Sequence, residues 1–125
     1  MKITRVLPSE EAGDLIQLTR EIAQRELAPR ATAAERDSEF PRDVFHTLGR
    51  AGLLSLPYPE QYGGGEQPAE TYLQVFEEIA YAWASIGVGT SVHALTCFPL
   101  AHYGTPEQQA RWLPDMLAGR LYLFL

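Results

Sequence analysis

The side chains best suited to chemistry gather in the second half of this 125-residue sequence: His93, His102 and the lone Cys97, with glycines at 63–65 and at 87 and 89. Each points to a chemistry that its surroundings then exclude. A metal site needs ligands on neighbouring turns, usually with a carboxylate behind a histidine. His93 and His102 lie nine residues apart, and no carboxylate falls within a helical turn of either. A reactive thiol needs a cation or a helix N-terminus to hold its thiolate, and Cys97 has no cation on its helix. Tyr62-Gly63-Gly64-Gly65 has the glycines of a phosphate loop, but no strand precedes it and no GKS or GKT follows. Gly87-Val88-Gly89 lacks the third glycine and the preceding strand of a dinucleotide fingerprint. No metal site follows from these residues, and no local motif supplies a catalytic group.

The elements that position them centre on Glu70–Gly104. From Ile79 to Tyr103 there is no Asp, Glu, Lys or Arg. Such a run must be buried in protein or lipid. Ser85, Thr90, Ser91, His93, Thr96, two glycines and Pro99 argue against a membrane span. The run reads instead as two core helices meeting near Ala84-Ser85. One opens at Pro68 and buries Tyr72, Leu73, Phe76, Ile79, Ala80 and Trp83. The next is capped by Ser85 and runs to about His102, with Gly104 as the C′ residue. Gly87 and Gly89 within it fit either close helix approach or room for a ligand.

Before this pair, residues 1–8 read as a frayed lead-in, and Ser9 as the N-cap of a helix with its apolar stripe on Leu15, Leu18 and Ile22. Pro29 is expected to end or kink it near Ala28, with a further turn through Ala31–Ala34, and Glu35–Glu39 reads as a solvated corner. Pro41 suits N1 and Gly52 the residue past the end of a helix burying Val44, Phe45 and Leu48. Leu53–Leu56 reads as extended, and Pro57–Gly65 as a turn-rich surface loop. After the pair, Thr105-Pro106-Glu107-Gln108 is a capping box. Leu113, Met116 and Leu117 face the core, Pro114 is expected to break this last helix into two short turns, and Gly119 stops it. Leu121–Leu125 reads as a β-strand. The fold class is therefore all-α: about five helices in an orthogonal or up-down bundle, with a short orphan strand.

A net charge of −6 with scattered basic residues excludes a nucleic-acid surface and a polybasic membrane patch. A single cysteine suits a reducing compartment, and a cytoplasmic location is expected.

Seven segments occur in a telling order: Glu26-Leu27-Ala28-Pro29-Arg30; Phe40-Pro41 with Leu48-Gly49-Arg50-Ala51-Gly52-Leu53; Pro59-Glu60-Gln61-Tyr62-Gly63-Gly64; Glu77-Glu78-Ile79-Ala80; Ser85-Ile86-Gly87-Val88; Tyr103-Gly104-Thr105-Pro106-Glu107-Gln108-Gln109; and Trp112-Leu113-Pro114 with Ala118-Gly119. Together they resemble the N-terminal helical domain of the acyl-CoA dehydrogenase family. The resemblance implies α,β-dehydrogenation of an acyl-CoA thioester in fatty acid β-oxidation, with a glutamate as base and FAD as hydride acceptor. It further implies electron-transfer flavoprotein as redox partner and a homotetramer at full length. By position, Val88, Ser91, Val92 and Leu95 would line the acyl chain, and Ser91 would bond back to the Gly87 carbonyl.

No glutamate here matches the family's base, and no residue matches its main FAD contacts. Residues 9–119 are then expected to form the helical domain, with 120–125 the start of a β-domain, as in a gene fragment, a frameshift remnant or a deliberately cut polypeptide. Acyl-CoA oxidases and flavin monooxygenases share the domain. The non-enzymatic alternative is a stand-alone helical module that binds an acyl chain or a partner protein. On the fragment reading, the purified chain is inactive and colourless. An oxidised-flavin absorbance band that co-purifies with it would contradict that.

Overall fold

The computed structural model describes residues 4–121. Its helices are α1 (Glu10–Ile22), a π-helical turn (Ala23–Leu27), α2 (Ala28–Arg36), α3 (Arg42–Arg50), α4 (Ala69–Ala82), α5 (Ala84–Tyr103) and α6 (Pro106–Leu117). α1, the π turn and α2 run on without a gap, so the described residues form five α-helical rods, one 3-10 turn (Glu60–Tyr62) and no strand. The all-α bundle is as the sequence implies. The expected strand at 121–125 lies almost wholly outside the described residues.

Ser9 caps α1 by accepting the Ala12 N–H at 3.1 Å. Residues 4–8 have no regular structure, yet Arg5 is tied down: its guanidinium meets Glu78 at 2.8 Å and Glu77 at 2.9 Å on α4. Arg20 of α1 joins the same Glu78 carboxylate at 2.8 Å. Burial would raise the Glu78 pKa, but the hydrogen bonds from Arg20 and Arg5 outweigh it and hold the carboxyl below its ordinary value.

Pro29 does not end the first rod. Having no N–H to give to Arg25, it is accommodated by one wider turn, in which the Ala28 N–H reaches back to Ala23. Pro114 likewise leaves α6 intact to Leu117. Pro114 and Ala110, whose carbonyl loses its partner, both lie on the exposed side, where water can replace the missing donor. Pro41 stands one residue earlier than expected, as the N-cap of α3. Leu53–Leu56 is a buried run of turns and not an extended segment. Gly52, at φ +77°, ends α3 in a Schellman motif: the Gly52 N–H bonds Gly49 and the Leu53 N–H bonds Leu48. That reversal turns the chain inward at Leu53. Gly119, at φ +71°, ends α6 in the same way through Met116 and Asp115.

α1 packs on α4, α4 on α5, and α5 on α6. The α4–α5 junction is a close one. Only Trp83 separates the two helices, and its extended backbone (φ −156°, ψ 101°) caps α5 in the place expected for Ser85. Immediately beyond, Gly87 lies against Ala80, where an added Cβ would stand 2.4 Å from the alanine methyl carbon. This corner sets the rotation of both helices. On α4 it turns Thr71, Val75, Phe76 and Ile79 inward and leaves Leu73, expected in the core, exposed. Gly104 caps α5 with extended and not left-handed backbone. Its lack of a side chain answers a close approach, since a Cβ there would lie 2.5 Å from the Leu100 carbonyl oxygen.

Two glycines therefore have opposite roles. Gly87→Ala is expected to destabilise the chain by about 1–3 kcal/mol through overpacking. Gly13→Ala in α1, where nothing lies within 4 Å of the added carbon, is expected to stabilise it by about 0.5–1 kcal/mol. Urea titration of both variants checks the two signs.

Candidate functional site

α5 carries no charge and has two distinct faces. Inward lie Ile86, Gly87, Thr90, His93, Ala94 and Cys97. Outward lie Val88 (62% exposed), Leu95 (61%) and Phe98 (43%), with Ser91 beside them. By length and composition α5 could cross a membrane, but a third (33%) of its most apolar window is buried within this chain, as in a core helix bared on one side. The four residues singled out by sequence therefore fall on or beside one exposed flank. Val88, Ser91 and Leu95 are outward, and Val92 is half-buried at its edge. The Ser91 hydroxyl donates to the Val88 carbonyl at 2.9 Å, one residue nearer than the expected Gly87. Satisfied by its own helix, it asks nothing of a ligand.

The inward polar groups are structural. His93 is fully buried, with Nε2 2.8 Å from the Met116 carbonyl. A carbonyl only accepts, so Nε2 carries the proton. Burial, outweighing that hydrogen bond, pushes the imidazole pKa below its usual value and keeps the ring neutral. It ties α5 to the end of α6. Cys97, one turn on and 4.0 Å from that nitrogen, is fully buried, and burial pushes its thiol up to about 12, which makes it an inert core group. Tyr58 is also buried and donates its hydroxyl to the Ala94 carbonyl. Burial raises its pKa, and the loop expected wholly at the surface is thereby pinned to α5. Among the described residues no group of three or more His, Cys, Asp or Glu is placed to hold a metal ion.

Beside the exposed flank lies a groove of about 460 Å³. Phe40, Phe45, Trp83 and Ile86 give it an apolar wall, Val88 and Val92 connect it to the flank, and Gly89 also lines it. Of the two glycines, Gly87 answers close packing. Phe40 stacks on Phe45 with ring centres 5.6 Å apart. Glu35 is more than part of a solvated corner. Its carboxylate accepts from the Trp83 indole at 2.8 Å and from the Ser85 hydroxyl, and Ser85 above all holds its pKa low. Sequence reasoning missed Glu35, Phe40 and Trp83 as site residues. The one available signal was Trp83, whose indole N–H must find an acceptor when buried.

Residues 9–120 match the family described as "Acyl-CoA dehydrogenase, N-terminal domain". The chain is 34% identical over 112 residues to an "Acyl-CoA dehydrogenase" of Bacillus subtilis, covering 89% of this chain and 30% of that protein. It is 32% identical over 114 residues to the mitochondrial isovaleryl-CoA dehydrogenase of Pongo abelii, covering 89% of this chain and 27% of that one. The fold superposes on the crystal structure of glutaryl-CoA dehydrogenase from Mycobacterium smegmatis with a TM-score of 0.86 and 28% identity, covering 94% of this chain and 30% of the other. The chain thus spans less than a third of the length of these proteins.

His93 gives the domain a specific pH response. Its folded pKa is depressed, so the unfolded chain binds the proton more tightly. Stability is fully present above the ordinary value of 6.5 and falls as pH drops from there toward the depressed value. The slope should reach up to about 1.4 kcal/mol per pH unit. Urea midpoints between pH 7.5 and 5 should show this decline, and His93→Gln should flatten it.

Proposed function

The chain belongs to the acyl-CoA dehydrogenase family, as its N-terminal domain, and from that premise we propose that it forms one wall of the acyl pocket of an FAD-dependent enzyme that oxidises acyl-CoA thioesters between the α and β carbons. The observation that carries this is the bare outward flank of α5. Val88, Leu95 and Phe98 are exposed there on a helix without a single charge, while the opposite face is packed into the bundle. An uncharged flank of this kind is the surface that an acyl chain, or a domain closing over one, would cover. Each methylene buried against it would contribute about 0.8 kcal/mol.

In such an enzyme FAD takes up the hydride that leaves the β carbon. The residues described here do not fit a site for it. α5 follows another helix and a tryptophan, not a strand and a glycine turn, and the neighbouring groove presents the carboxylates Glu35 and Glu39, which would repel a pyrophosphate. No redox or proton-transfer step is assigned to this chain. Its residues would hold the acyl tail in one line, exclude water along α5 and limit tail length. The flavin, the base, electron-transfer flavoprotein as acceptor and a homotetrameric assembly would belong to the whole protein.

In the complete polypeptide that carries this domain, Leu95→Trp should narrow the pocket. The ratio of kcat/KM for octanoyl-CoA to that for butyryl-CoA should fall by about tenfold or more, the scale on which an apolar pocket registers changes in size. An unchanged ratio would remove α5 from the acyl wall.

A further inference from the structure

A second cavity, of about 660 Å³, lies between the first rod and the C-terminal half of α4. Its helical walls are short side chains, Ala23 and Ala28 on one side and Ala80 and Ala82 on the other. Side chains of that size leave the gap unfilled, so packing does not fix the spacing of the two helices there. Ala80 lines this cavity and also receives Gly87 in the α4–α5 corner. The contact that sets α5 therefore has open space beside it.

What spans the gap is polar and comes from a segment without regular structure. Arg5 donates from Nε and Nη2 to one oxygen of Glu78 at 2.9 and 2.8 Å, and from Nη1 to Glu77 at 2.9 Å and to Gln74 at 3.3 Å. Its side chain is 10% exposed, and that of Glu78 is 11% exposed. Arg20 reaches the same Glu78 oxygen from α1. Beside Arg5, the Gln74 amide donates to the Val6 carbonyl at 3.0 Å, and Leu7 packs on the main core. A guanidinium fork can serve three acceptors at once, and a carboxylate withdrawn from water between two guanidiniums is costly to leave with one. We infer that residues 4–8 are a strap that clamps α4 to the first rod, with Arg5 as a positioning residue that acts through Glu78 on the Trp83 corner. The clamp holds α4 where packing leaves it loose, and it acts whatever covers the α5 flank. Held by one guanidinium, one amide and one leucine, the strap can open while the bundle stays folded.

Trypsin reads the strap directly, because the bond after Arg5 is cut only when that side chain leaves Glu78. In the intact chain, cleavage to a product that starts at Val6 should be slow, and Glu78→Gln should speed it about tenfold or more at unchanged far-UV circular dichroism. Glu77→Gln changes a half-exposed side chain and leaves the Arg20–Glu78 pair in place. It should speed the same cut about threefold, and it keeps this arm readable if Glu78→Gln does not fold. The corner is read by Trp83, which is 4% exposed and becomes the sole tryptophan once Trp112 is replaced by Phe. In that background Arg5→Gln should raise the acrylamide quenching constant of Trp83 about twofold. Arg120→Gln, which cuts the exposed pair with Asp115 beyond α6, should leave it unchanged. A cleavage rate that neither glutamate variant moves would show that no latch exists. Faster cleavage with an unchanged Trp83 would reduce the strap to a loose segment that positions nothing. Either result overturns the clamp.

Discussion

The contact between Gly87 and Ala80, one turn after the single-residue corner at Trp83, governs the rest of this domain. A helix of twenty residues with no charge has no polar face to tell it which side belongs in water. Its rotation must come from outside its own pattern. Here the Trp83 backbone reverses the chain, the indole N–H is anchored on Glu35, and the missing Cβ at Gly87 lets the two helices close. Once that rotation is set, Thr90, His93, Ala94 and Cys97 must point into the bundle, and Val88, Ser91 and Leu95 must point out of it.

The second half of α5 is fixed by polar ties. His93 binds the Met116 carbonyl, the Tyr58 hydroxyl binds the Ala94 carbonyl, and Gln109 reaches the Ala101 carbonyl at 2.9 Å while accepting from Tyr62 at 2.8 Å. These bonds join the glycine-rich loop, α5 and α6 around a small apolar cluster of Cys97, Leu113, Met116 and Leu117. His93, one of the groups that looked most like chemistry in the sequence, is thus among the ties that hold α5 in place.

Much of this was legible in the sequence wherever the signal was local. Ser9 and the Thr105–Gln108 capping box act through backbone within three residues, and both cap their helices as the pattern implies. Val44, Phe45 and Leu48 repeat at helical spacing and are buried. What was not legible depends on partners far along the chain. Pro29 and Pro114 break helices by intrinsic preference, yet one is absorbed by a π turn and the other sits where water can replace its donor. Leu73 reads as core until the corner at Trp83 fixes the α4 rotation. Of the four residues named for the acyl wall by resemblance, Val88, Ser91 and Leu95 are exposed on one flank and Val92 is half-buried at its edge. The structure adds a groove whose key members, Glu35 and Phe40, lie more than forty residues before α5 and carry no pattern that links them to it.

The claim on which the account rests is that the outward side of α5 faces an acyl chain. Its most direct test is thiol protection at position 95 in the complete polypeptide. Leu95→Cys places an accessible thiol on the flank, native Cys97 is buried, and the labelling due to position 95 is the difference from the same protein with Leu95 intact. The account predicts that saturating octanoyl-CoA slows this labelling at least tenfold, the scale set by a contact worth about 1.4 kcal/mol. Equal labelling rates with and without the thioester would contradict it.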